Sequence, residues 1–93
     1  MQKLTRVTQP TLAVLEVLLA EEFGTWGLNI SKVTGLKPGT IYPILDRLEA
    51  AGWVISFWET EVTRDAPKRK NFLLMAHVKP AAEELIRARR VAG

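Results

Sequence analysis

A mainly α-helical fold with a small β-hairpin wing, in the order α-α-α-β-β-α, is predicted by three features of this sequence. Four segments carry apolar residues three and four positions apart, which is the spacing of a helix with one buried side. Two short stretches rich in β-branched and aromatic residues follow the third of these segments and predict two strands. The 93 residues are 47% apolar and contain no Gly/Ser-rich linker, so we expect a single α+β domain.

The first predicted helix runs from Thr8 to Ala20. Thr8 is suited to cap a helix, and Pro10 is tolerated in the first turn because the amide there has no helical partner. Val14 and Val17 indicate a second apolar side, which predicts contact with a second subunit as well as with the core. The main apolar stripe consists of Leu12, Leu15, Leu18 and Leu19.

The second predicted helix is short and ends at a glycine. Trp26, Ile30 and Val33 have near-helical spacing, and Gly35 suits the left-handed position that terminates many helices. A linker, Leu36 to Gly39, leads to the third helix.

The third predicted helix has the clearest pattern in the chain. Its apolar residues follow the i, i+3, i+4, i+7 rule and precede Gly52. Because proline lacks a backbone donor, Pro43 predicts that this helix begins close to Gly39 or Thr40. The apolar residues are Ile41, Ile44, Leu45 and Leu48.

The strands and the last helix complete the predicted order. Trp53–Trp58 and Phe72–Met75 are the two strand segments, and a polar stretch connects them. The last helix begins at Pro80, ends near Arg90, and carries acidic residues early and arginines late, as the helix dipole favours. Leu85 and Ala88 belong to its narrow apolar stripe, which together with Val14 and Val17 predicts a dimer interface.

Two short helices joined by a glycine turn and followed by a hairpin are the element order of a winged helix-turn-helix. In that fold the third helix enters the major groove of DNA. Asp46 and Glu49 are carboxylates that weaken the case for DNA binding slightly, unless they accept from a cytosine amino group or pair with an arginine. Glu49 is expected to be peripheral. We expect Lys37 to contact phosphate. The predicted base-contacting residues are Thr40, Tyr42, Pro43 and Arg47.

A basic cluster lies between the two predicted strands. Arg64, Lys68, Arg69 and Lys70 suit contact with phosphate or the minor groove, although a solvated loop is the simpler alternative. The formal net charge of +3 and the pI near 9.6 favour a polyanionic partner weakly.

The sequence from Gly35 to Val54 closely resembles the recognition-helix signature of PadR-like transcriptional regulators. Trp26-Gly27-Leu28 resembles the start of that family's second helix, and Pro67-Lys68-Arg69-Lys70 resembles its basic run into the second wing strand. The resemblance covers about residues 10 to 75. It implies a homodimer that binds pseudo-palindromic operators and usually represses, with DNA-contact roles for Thr40 and Tyr42 and an interface made by the first and last helices.

Two departures from the family pattern concern the end of the chain. Where the family reads Leu-Thr-Pro-x-Gly, this sequence has Leu74 to Pro80, and the segment after Pro80 has room for one short helix. A ligand site at the dimer interface therefore has no support in the sequence.

Other function classes lack the residues they need. There is no cysteine, His77 is the sole histidine, and no catalytic or phosphate-cradling motif is present, so we predict neither an enzyme nor a metal or other cofactor. No apolar run has the length of a membrane span, and we expect a cytoplasmic protein. Trp26, Trp53 and Trp58 are expected to pack rather than to line an effector pocket.

The sequence thus predicts a homodimeric repressor with a DNA-binding domain at residues 1–78 and a dimerisation helix at residues 79–93. Two alternatives remain open. A winged helix can serve as an architectural or recombination accessory factor on DNA, or it can bind a partner protein instead. Arg47→Ala is expected to relax base discrimination, whereas Lys68→Ala is expected to weaken binding to all sequences alike.

Overall fold

The computed structural model of the chain describes residues 1–59 and 69–92. The fold is mainly α-helical with a small antiparallel sheet, as predicted, and one further strand precedes the second helix. The elements are α1 (Gln9–Ala20), β1 (Thr25–Trp26), α2 (Gly27–Thr34), α3 (Pro38–Ala50), β2 (Val54–Trp58), β3 (Lys70–Leu74), a 3-10 turn (Ala76–Val78) and α4 (Lys79–Ala92).

The sheet has the order β1-β3-β2, so β3 lies between the two other strands. Trp58 of β2 pairs with Lys70, and Trp26 of β1 pairs with Asn71. Trp26 is extended and is the N-cap of α2, so it leads into the second helix, as the resemblance of Trp26-Gly27-Leu28 implies, and only its place in the helical stripe is wrong. Val33 also departs from its predicted stripe, since 62% of its surface is exposed.

Helix α1 lies at the centre of the packing and contacts α2, α3, α4 and β3. It therefore needs apolar residues on several sides. Val14 is 0% exposed and Val17 is 7% exposed within this single chain. These two side chains have no surface to offer a second subunit, which corrects that part of the predicted dimer interface: their apolar side is covered by the chain's own elements.

Side-chain hydrogen bonds fix the turn between α2 and α3. Thr34 accepts from the Leu36 amide at 3.1 Å, and the Ser31 hydroxyl donates to the Leu36 carbonyl at 2.5 Å. Gly35 adopts φ of +77°, a left-handed conformation that a side chain at this position would strain. These contacts set the direction in which α3 leaves the turn.

Helix α3 begins at Pro38, slightly before the expected start, and Pro43 lies in its second turn rather than in its first. Proline in that position has no N–H for the carbonyl of Gly39, four residues earlier. The helix continues nevertheless, because Ile41, Ile44 and Leu45 are all buried in the core and hold it there.

Candidate nucleic-acid interface

Helix α3 presents one buried and one exposed side. Its apolar residues form part of the core, and the predicted base-contacting residues all lie on the exposed side. Lys37, at the N-cap of the helix, is exposed as well. The structure thus brings Thr40, Tyr42, Pro43 and Arg47 to a single surface, which we call the α3 surface.

Tyr42 stands at one edge of the α3 surface, against the start of α2. A Cβ atom built on Gly27 would overlap the phenol group and come within 2.8 Å of Tyr42 Cε1, which is closer than real contacts allow. The absence of a side chain at Gly27 therefore gives Tyr42 its place. With 40% of its surface exposed, Tyr42 packs on α2 and still faces solvent.

Two basic residues of the wing, Arg69 and Lys70, lie beyond Tyr42 on this side of the α3 surface. The guanidinium carbon of Arg69 lies 4.3 Å from the centre of the Trp26 ring, a cation–π distance that restrains the side chain. Lys70 Nζ lies 5.7 Å from the Phe72 ring. Arg69 therefore stacks on the residue that precedes Gly27, the glycine against which Tyr42 packs. The predicted wing residues Arg64 and Lys68 lie outside the described residues.

The carboxylates near α3 have different surroundings. Glu49 accepts a hydrogen bond of 2.5 Å from the hydroxyl of Ser56 on β2, so it is engaged with the sheet. Asp46 is exposed in the middle of the α3 surface, and it makes no ion pair with any residue in the described ranges. Asp46 therefore places one negative charge on the solvent-exposed side of α3.

The other edge of the α3 surface is bordered by residues that sequence reasoning missed. Arg6 lines a groove of about 440 Å³ together with Thr40, Pro43 and Arg47. The amide of Gln2 donates to the Ala51 carbonyl at 2.7 Å, which attaches this segment to the end of α3. The available sequence signal was weak, because Leu4 and Val7 are its only anchoring apolar residues and show no repeating pattern.

The predicted dimer residues of α4 lie beside a second, more apolar groove of about 330 Å³. Leu85 is half-buried and Ala88 is exposed, so both retain surface that is not covered by this chain. Leu4, Val7 and Trp53 form the opposite wall.

The remaining residues that attracted notice do not form a further site. Trp53 is buried in the core and Trp26 is half-buried under Arg69, as expected of packed tryptophans, whereas Trp58 is 57% exposed. Among residues 1–59 and 69–92, no three His, Cys, Asp or Glu side chains approach one another closely enough to hold a metal ion. No helix in these ranges has the length and apolar character needed to cross a membrane.

Comparison with known proteins identifies the family. Residues 14–77 match the model of the transcriptional regulator PadR-like family. No curated protein matches the chain.

Solved structures of similar fold include two PadR family members. A PadR family transcription regulator from Clostridium difficile R20291 is 26% identical, with a TM-score of 0.68 over 87% of this chain and 88% of that one. A PadR family transcriptional regulator from Eggerthella lenta is 21% identical, with a TM-score of 0.67 over 85% of this chain and 72% of that one.

A third similar structure is the PcaV transcriptional regulator from Streptomyces coelicolor, solved with its natural ligand. It is 24% identical, with a TM-score of 0.72 over 91% of this chain, which spans 58% of PcaV. At this identity the likeness concerns the fold alone, which is that of a winged helix. Since the family model covers more than half of the sequence, the chain belongs to the PadR-like family of transcriptional regulators, which are DNA-binding proteins.

Proposed function

We propose that the protein is a homodimeric repressor that places α3 in the major groove of an inverted-repeat operator. The observation that carries this proposal is the α3 surface, where four side chains able to contact bases are exposed together, with basic residues beside them. A catalytic site needs several acids, bases or nucleophiles that converge on one point. The α3 surface has one carboxylate, Asp46, and its other features suit contact with DNA better.

The proposed contacts divide into two classes. Thr40, Tyr42, Pro43 and Arg47 read base edges, because their positions on α3 carry them into the groove. Lys37 and the wing residues Arg64, Lys68, Arg69 and Lys70 contact phosphates, which contributes affinity without sequence preference.

Dimerisation is proposed through the apolar groove beside α4. Leu85 and Ala88 on that groove remain accessible, and a domain of this size gains stability when a second copy covers apolar surface. In this proposal residues 1–78 bind DNA and residues 79–93 hold the two subunits together. The two α3 helices then enter successive major grooves about 10 base pairs apart.

Repression follows from occupancy in this proposal. A dimer bound across a promoter excludes the polymerase from the same stretch of DNA, and this requires no cofactor. Such a protein acts in the cytoplasm.

The first test is selection from a randomised duplex pool at two salt concentrations, followed by sequencing of the retained DNA. Enrichment of an inverted repeat that overlaps a promoter supports the repressor. Salt-sensitive retention with no enriched motif would instead indicate an architectural factor, and no retention at low salt would indicate a protein partner.

Two substitutions test the division of contacts on the selected operator. Arg47→Ala is expected to reduce the preference for particular bases, whereas Lys70→Gln is expected to weaken all duplexes equally and to lower the salt dependence by about one unit per contact. Equal effects of the two variants on base preference would contradict the division.

The dimer is tested with Leu85→Glu, which places a charge in the apolar groove. We expect sedimentation to show monomers and affinity for the inverted repeat to fall at least tenfold, while a single half-site is still bound weakly. Glu83→Gln is the matched control, because Glu83 lies on α4, is exposed, does not line the groove and makes no ion pair within the described ranges.

A further inference from the structure

The segment before α1 runs alongside α3 and is attached at both of its ends. Near its start, the Gln2 amide donates to Ala51 at 2.7 Å, and the indole N–H of Trp53 donates to the Gln2 carbonyl at 2.6 Å. At its other end the Thr8 hydroxyl caps α1 by accepting from the Thr11 amide at 3.4 Å. Residues 3–7 therefore have a defined path between two fixed points.

Apolar contacts hold one side of this segment and leave Arg6 in solvent. Leu4 packs against the core, and Val7 is partly buried beside it. Arg6, between them, is exposed. The side chain of Arg6 consequently lies on the surface shared with α3 instead of pointing toward the core.

The groove shared by Arg6 and α3 has the chemistry of an anion site. Arg6 and Arg47 line it together with Thr40, and Thr8, whose hydroxyl is engaged in capping α1, lies beside them. None of the described residues that line it is acidic, and neither arginine pairs with a carboxylate in the described ranges. Arg6 places a second positive charge on the groove beside Arg47, and a phosphate bound by Arg6 would reduce the repulsion between the two.

We infer that Arg6 binds a phosphate of the DNA backbone next to the bases contacted by α3, so that the segment before α1 is a second part of the DNA-binding surface. This inference rests on the proposed function, since it assumes that α3 faces DNA. Arg6 then neutralises the phosphate on the Thr40 and Arg47 side of the helix, and the wing neutralises phosphates on the Tyr42 side. The recognition helix is thereby held from both edges.

The test compares Arg6→Gln, Arg6→Lys and the control Arg87→Gln on one half-site duplex, by fluorescence anisotropy from 50 to 200 mM salt. The plot of log affinity against log salt becomes less steep by about 0.9 for each phosphate contact that is lost. Between 50 and 200 mM salt, a variant that lacks one contact therefore loses about 3.5-fold less affinity than the wild type. We expect this less steep slope for Arg6→Gln, near wild-type slope for Arg6→Lys, and no change for Arg87→Gln. Thermal unfolding of each variant checks that the fold is retained.

The possible outcomes are separable. An unchanged slope for Arg6→Gln, with normal DNA binding by the wild type, overturns this inference and leaves the proposed function intact. A changed base preference for Arg6→Gln in the randomised pool also overturns it, because Arg6 would then read a base. Failure of the wild type to bind any duplex overturns the proposed function and this inference together.

Discussion

Replacement of Gly27 by alanine tests whether this glycine positions Tyr42. The added methyl group would meet Tyr42 before any other residue, and three atoms of the phenol lie within 3 Å of its position. Overpacking of this kind costs about 1 to 3 kcal/mol, against which alanine returns at most about 1 kcal/mol of helix propensity. Because the phenol is the end of a side chain that is 40% exposed and can turn toward solvent, we expect Gly27→Ala to lower the free energy of unfolding by up to about 2 kcal/mol.

The assay is a double-mutant cycle measured by urea unfolding. In the Tyr42→Ala background the obstacle is absent, so Gly27→Ala should cost nothing there and should even stabilise the protein slightly. The difference between the two backgrounds is the overlap itself, about 1 to 3 kcal/mol. In a domain of this size, 1 kcal/mol corresponds to a change in Tm of about 4 to 8 °C.

Gly39→Ala is the control for intrinsic helix propensity. Gly39 lies in α3, and a Cβ atom there would have no neighbour within 4 Å. Alanine at that position is expected to be neutral or stabilising. If Gly27→Ala retained its full cost in the Tyr42→Ala background, or if the two glycine substitutions behaved alike, the reasoning about Tyr42 would be refuted.

Three further substitutions test other contacts. Trp53→Phe removes the hydrogen bond to Gln2 and part of a buried ring, so we expect the free energy of unfolding in urea to fall by about 1 to 3 kcal/mol. Trypsin should also cleave faster after Arg6, and an unchanged rate would contradict the attachment of the N-terminal segment through Gln2. Asp46→Asn removes the acid in front of α3 and should raise affinity for random-sequence duplex severalfold in anisotropy titrations, and equal affinity would show that Asp46 does not face the phosphates. Leu45→Ala should cost about 2 to 5 kcal/mol, a value that chemical unfolding measures directly, because this side chain is fully buried.

The elements that sequence reasoning located correctly are those whose apolar spacing repeats. In α3, Ile41, Ile44, Leu45 and Leu48 are all buried, as their spacing predicted. The exposed side of the helix follows from this pattern by exclusion, and it predicts which residues can contact bases. Periodicity is a local property, and it is strong in a helix of three or more turns.

The features that sequence reasoning missed depend on contacts between distant parts of the chain. Strand β1 has two residues, too few for any alternation, and it exists because Thr25 and Trp26 pair with β3. The spacing of Val14 and Val17 predicts a second apolar side of α1. The sequence of one helix does not show whether that side is covered by the same chain or by a second subunit. Arg6 went unnoticed because its position depends on a hydrogen bond between Gln2 and Trp53, far apart in sequence.

The central position of β3 in the sheet has a consequence for how the protein matures on the ribosome. Strand β1 directly precedes α2, β2 follows α3, and both pair with β3, which is synthesised after them. Helices α2 and α3 thus lie between two strands, β1 and β2, that are brought into one sheet only when residues 70–74 have emerged. Pairing across such separations is slow compared with local helix formation. A nascent chain that stops before β3 lacks both strand pairings of the sheet and the core residues Phe72 and Leu74, so the domain is completed late in synthesis.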